Sequence, residues 1–152
     1  MNILAVVLIN ASLTLPNPTL TPGAVADTDV RIICAKDYDK THRPDTQTSH
    51  ALKLQALYLY NIPRSQIHTV EADALVPVGI GGNHFTINNI WVQRCDTWHG
   101  WRCVAGDAAV KDQLEVLARH KTCTLSKIDP NAAQQLLLQY QHQFMTDWRL
   151  VR

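Results

Sequence analysis

The sequence has no excess of charge of either sign: 14 Lys and Arg stand against 13 Asp and Glu, a formal net charge of +1 with a pI near 7.8. That excludes the broadly basic surface of a general nucleic-acid binder, so any contact with a polyanion has to come from a local patch. No Cys-x-x-Cys pair occurs among its four cysteines, which argues against a zinc ribbon. No internal repeat, heptad pattern or low-complexity tract is present, which excludes solenoids, long coiled coils and disordered linkers. Long apolar runs are missing too. The run at residues 3–9, ILAVVLI, is too short to cross a bilayer, so no membrane span is expected. No Lys or Arg precedes it, so the positive region of a signal peptide is also lacking. The run is therefore either a weak or truncated export signal or a buried N-terminal strand.

What remains is an ordinary globular composition, 46% hydrophobic and 18% charged over 152 residues, enough for one modest core. We set residues 1–15 apart as an apolar N-terminal segment and assign 16–152 to a single domain. An even number of cysteines in so small a chain points to disulfides and an oxidising compartment, hence a secreted or periplasmic protein. Four cysteines allow three pairings. Cys95–Cys103 would close the short loop CDTWHGWRC, and Cys34–Cys123 would tie the N-terminal part to a late helix. The alternative is four reduced thiols in a cytosolic protein.

Residues 15–29 are rich in Pro, Thr and Gly and read as extended chain. Val30–Cys34 reads as a short strand and 35–49 as a loop. A helix is expected from an N-cap at Ser49 to the breaker Asn61-Ile62-Pro63. Residues 67–71 and 75–78 read as two strands separated by a kink, followed by a reversal at Gly79, Gly81 and Gly82. The clearest amphipathic helix is 108–121, with Val110, Leu114 and Leu117 on one face. Asp129-Pro130 opens a last helix that runs to about Trp148.

The chemistry-bearing stretch is VEADALVPVGIGGNHFTINNIWVQ, residues 70–93. Glu71, Asp73, Pro77, Gly81-Gly82, Asn89, Trp91 and Gln93 occur in a register that isolated turn residues would not share. This set resembles a small exported family of HNH-type (ββα-metal) nuclease domains, whose pattern is Glu-x-Asp-His, an apolar stretch with Pro, Gly-Gly, then Asn-Leu-Trp-Pro-Gln. The resemblance extends to TPG and Cys34 upstream and to KDQLE (111–115) and Cys123 downstream, covering about residues 16–148. It implies an α+β fold built around a ββα-metal core with flanking helices. It also implies metal-dependent endonuclease activity on DNA with a divalent cation, Mg²⁺ first and Mn²⁺ or Zn²⁺ next.

Carried onto this chain, Asp73 and Asp112 would hold the metal, Asn89 would orient the residue at 74 or its backbone, and Lys111 would contact phosphate. Alternatively, Lys111 and Asp112 belong to a solvated charged face. Glu71, His84, Arg43, Trp98 and Arg102 are candidate substrate contacts. Arg64 is a further loop arginine, and His99 rivals Asp112 as a ligand by spacing alone. The chain departs from the family at Val92, which replaces Pro, and in the apparent insertion Cys95–Val104, a loop carrying Trp98, Trp101 and His99. The larger departure is Ala74, where the family has its general-base His. Alanine has no proton acceptor, and losing a positioned base costs about 10²–10⁴-fold in rate. Three explanations stand: a His-to-Ala substitution, a natural inactive module binding nucleic acid or a protein through loop 95–103, or a base supplied by His84 or His68. For His84, the plainer expectation is a solvent-exposed loop residue.

Overall fold

Local capping and cross-strand pairing set the element boundaries. The computed structural model describes residues 13–152; the apolar run at 3–9 lies outside them. Within the segment set apart above, Leu13 is buried in the main core and the Thr14 N–H donates to Asp107 Oδ1 at 3.0 Å. The helices are α1 (Val30–Ile33), α2 (Tyr38–Thr41), α3 (Thr46–Leu59), α4 (Asp107–Ser126) and α5 (Pro130–Asp147). The strands are β1 (Val70–Ala74), β2 (Ile90–Arg94), β3 (Thr97–His99) and β4 (Arg102–Ala105). Among the described residues they form two antiparallel pairs, β1–β2 and β3–β4, so the domain is mixed α+β.

Several elements differ from the sequence expectation. Val30–Cys34 is a helical turn rather than a strand, because Asp29 accepts from the Arg31 N–H at 2.8 Å and the Cys34 N–H closes on Val30 O at 3.0 Å. α3 starts at Thr46 rather than after Ser49, because Asp45 is the cap and accepts from the Thr48 N–H at 2.7 Å. The two expected strands at 67–71 and 75–78 become one. Its limits follow the partner: the ladder runs from Val70↔Arg94 to Ala74↔Ile90, with 3₁₀ turns at Arg64–Thr69 and Val78–Ile80 on either side. Cys95–Val104, expected as a loop, is the β3–β4 hairpin. α2 falls within the stretch 35–49 expected as a loop, and α4 runs on past residue 121 to Ser126. α3 gives way at Asn61, which has φ 52°, and Asp129 caps α5 from the Ala132 N–H at 3.0 Å with Pro130 in the first turn.

Both disulfides form as expected. Cys34–Cys123 joins the end of α1 to α4, and Cys95–Cys103 closes the hairpin. Along β1, alternation separates Glu71 and Asp73 from Ala72 and Ala74. Ala72 packs with Ile90, Val92 and Ala56 of α3. Trp91, opposite Asp73, enters the main core with Ile33, Leu137, Phe144 and Trp148, the two indoles lying 5.7 Å apart.

The loop between β1 and β2 is pinned by the segment Ala24–Asp27. Val25 bridges to Gly82, and the Ala26 N–H donates to Gly81 O at 2.8 Å. A Cβ at Gly81 (φ +92°) would sit 2.2 Å from Asp27 O, so Gly81 is required for this crossing; one at Gly82 would sit 1.8 Å from Val76 O, so Gly82 is required for the loop's own reversal.

Candidate metal centre

β1 delivers Asp73 just before the strand ends. α4 delivers Asp112 and Glu115, which share a face at i, i+3 spacing. One carboxylate oxygen from each lies within 4.8 Å of the other two. Asp73 and Asp112, paired as ligands by the sequence, come together. Glu115 joins them although the sequence reading gave it no role; its signal was the one-turn spacing from Asp112.

The fully buried cation beside these acids is Lys111, so the expectation of a solvated face does not hold for it. Its ammonium donates to Ala74 O at 2.6 Å and to the Glu115 carboxylate, and lies 5.6 Å from the centre of the Phe144 ring.

One ammonium does not balance the acids around it. Glu71 lies on the Asp73 face of β1, and its buried Oε2 has no hydrogen-bond partner among the described residues. Burial first, then the Asp73 and Asp112 charges, push the Glu71 carboxyl up to about 7. Burial likewise raises Glu115 to about 7 against the pull of Lys111, and raises Asp112 with help from Asp73. These carboxyls titrate as a group, and either protons or a cation relieve their repulsion.

His84 is not the exposed loop residue expected. It is 4% exposed, and its Nε2 lies 4.0 Å from Asp73 Oδ1. Neither ring nitrogen has a hydrogen-bond partner among the described residues. Burial holds its pKa below the ordinary imidazole value, with Asp73 pulling the other way.

Asn89 is fully buried and acts on the loop backbone. Its Oδ1 accepts from the N–H groups of Val76 (2.9 Å) and Ala24 (3.2 Å), and its Nδ2 donates to Val76 O and Asn83 O, both at 3.0 Å. Its own carbonyl accepts from the Leu75 N–H at 2.7 Å, next to Ala74. Ala74 itself is buried, and its N–H donates to Asp73 Oδ1 at 2.8 Å, fixing that carboxylate.

The remaining candidates lie around the cluster. Arg102 and Trp101 share a cleft of about 640 Å³ with Asp112 and Glu115. Trp101 is 88% exposed, whereas Trp98 is held by its indole N–H to His68 O at 2.6 Å. Arg43 pairs with Asp39 at 3.0 Å and borders Glu115 from the other side, with Gly79 and Arg119. His68, His99 and Arg64 are exposed and outside the carboxylate cluster. No protein family, curated protein or solved structure matches the chain.

The donor set fits a hard divalent cation: three carboxylates converge from two rigid elements, in surplus over their one buried ammonium. Buried polar atoms without hydrogen-bond partners among the described residues, Glu71 Oε2 and both ring nitrogens of His84, belong to residues near Asp73.

Proposed function

We propose that the chain is a divalent-cation-dependent DNA endonuclease of the ββα-metal type, lacking the general base at position 74. The observation that carries this reading is the convergence of Asp73, Asp112 and Glu115 at the end of a two-stranded ladder packed on a helix. Asp73 is oriented by the Ala74 N–H, Glu115 is tethered by Lys111, and Asn89 holds the loop that closes the site. A cation held there would stabilise the charge developing on a phosphodiester and on its leaving oxygen. Arg102 and Trp101, beside Asp112 in the adjoining cleft, suit a phosphate and a base. Two disulfides and the lack, among the described residues, of a helix long and apolar enough to cross a membrane fit a secreted or periplasmic protein.

Nicking of supercoiled plasmid by Ala74→His tests the proposal. Restoring the base should raise the rate about 10²–10⁴-fold over the unaltered chain. EDTA should abolish the gain, as should Asp73→Asn on the same background. A folded Ala74→His protein with no added activity in Mg²⁺, Mn²⁺ or Zn²⁺ overturns the nuclease reading. The exposure of Trp101 favours one second reading, an inactive module that grips nucleic acid or a protein through the hairpin. It predicts salt-sensitive DNA binding, or partner binding, lost in Trp98→Ala and Trp101→Ala, without cleavage in any variant.

A further inference from the structure

We infer that the cavity between α3 and the β3–β4 hairpin holds one unpaired base of single-stranded DNA, stacked on Trp98 and Trp101, while the phosphate beside it reaches the carboxylate cluster. The inference deepens the nuclease reading and rests on it for the nature of the polymer. What it adds is the form of the substrate.

The fold leaves apolar surface uncovered at this place. Leu54 of α3, Ile67 of the 3₁₀ turn, and Trp98 and Trp101 of the hairpin are exposed, and all four line one cavity of about 270 Å³. Three elements far apart in sequence bring them together. That volume lies below the roughly 300–1,000 Å³ of sites for drug-sized ligands, so it takes one flat ring system rather than a larger ligand.

The two indoles are held differently. Trp98 is fixed, its indole N–H donating to His68 O at 2.6 Å while the Cys95–Cys103 bridge closes the hairpin. Trp101 follows Gly100, which turns the hairpin with φ 62°, and is 88% exposed. An indole so exposed adds little burial to folding, and its face is open to a partner.

The cavity adjoins the cluster. Trp101 lines both it and the cleft that contains Asp112 and Glu115. Glu71 lines the cavity as well, and it stands two residues before Asp73 on the same face of β1, about 6.6 Å along the strand. Lys53 at the cavity and Arg102 at the cleft place a cation on each side of Trp101 for the sugar-phosphate chain. A single strand presents its bases to an aromatic platform, whereas a duplex covers both faces of each base and supplies one only by extruding it.

Fluorescence anisotropy of a fluorescein-labelled deoxyoligonucleotide, titrated in MgCl₂ with the unaltered chain, tests this. The same strand annealed to its complement, and the same strand with abasic sites, serve as the comparisons. The single strand should bind at least about tenfold more tightly than the duplex. Trp101→Ala should weaken single-strand binding by about 5–150-fold, the range for one base–aromatic stack, and Trp101→Phe should keep most of the affinity. The abasic strand should bind the unaltered chain about as weakly as the intact strand binds Trp101→Ala. Duplex bound as tightly as the single strand, no binding of either form, or single-strand affinity unchanged in Trp101→Ala overturns the inference and leaves the nuclease reading to the Ala74→His test. Single-strand binding that depends on Trp101, with no cleavage by Ala74→His, supports the cavity and fails the nuclease reading.

Discussion

Lys111→Met should destabilise the domain by about 3–5 kcal/mol at neutral pH, the range expected when one partner of a buried ion pair is removed. Methionine keeps most of the volume and the contact with Phe144, so little of the loss would come from packing. What disappears is the charge. Glu115 loses its tether, Ala74 O loses its donor, and Asp73, Asp112 and Glu71 keep only Lys53 and Arg102 against their mutual repulsion. In melting temperature this corresponds to about 6–20 °C for a chain of this length. The loss should shrink at pH 4, where protons neutralise Glu71 and Glu115, and shrink again in saturating Mn²⁺. An Lys111→Met protein that melts within two degrees of the unaltered chain at pH 7 contradicts the assigned role.

The second large effect is expected at Cys34–Cys123. This bridge closes a separation of 89 residues, against 8 for Cys95–Cys103. On the chain-entropy relation these loops correspond to about 4–5 and about 2–3 kcal/mol respectively. Replacing Cys34 and Cys123 together by Ser should therefore lower the melting temperature more than replacing Cys95 and Cys103. The consequences also differ in kind. The long bridge fixes α4, with Asp112 and Glu115, to the N-terminal segment that pins the Gly81-Gly82 turn. The short one acts within the hairpin that carries Trp101. A hairpin variant that melts lower than the Cys34/Cys123 variant would falsify this ordering.

Features set by neighbours in sequence were legible from the sequence. The Asp129-Pro130 start of α5, the amphipathic run of α4, the breaker after α3 and the Gly-Gly reversal all follow from local capping and backbone constraints. Asp73 and Asp112 were legible as a pair through their motif. The strand-like Val30–Cys34 was misread because a cap at Asp29 outweighs β-branched composition over so short a run. His84 and Lys111 were illegible for a different reason. A polar loop and a Lys-Asp-Gln helix face both look solvated along the chain. Their burial depends on contacts from elsewhere: residues 24–27 crossing the loop in one case, the end of β1 closing over α4 in the other. Glu115 had the right spacing, but nothing in the sequence set it above any other helical glutamate.

The central claim is that Asp73, Asp112 and Glu115 form a cation site, and melting temperature measured at pH 5 and pH 8, in EDTA and in Mn²⁺, tests it most directly. Glu71 and Glu115 sit near 7 in the folded chain, well above their ordinary values. The folded state therefore holds protons that the unfolded state has released, and stability falls as pH rises from about 4.5 through about 7. In EDTA the chain should melt lower at pH 8 than at pH 5. Mn²⁺ at about a hundred times its dissociation constant should return about 2.7 kcal/mol at pH 8 and much less at pH 5, where a proton occupies Glu115. Asp73→Asn should abolish the Mn²⁺ effect. A melting temperature at pH 8 that Mn²⁺ does not raise, or raises equally in Asp73→Asn, contradicts the site.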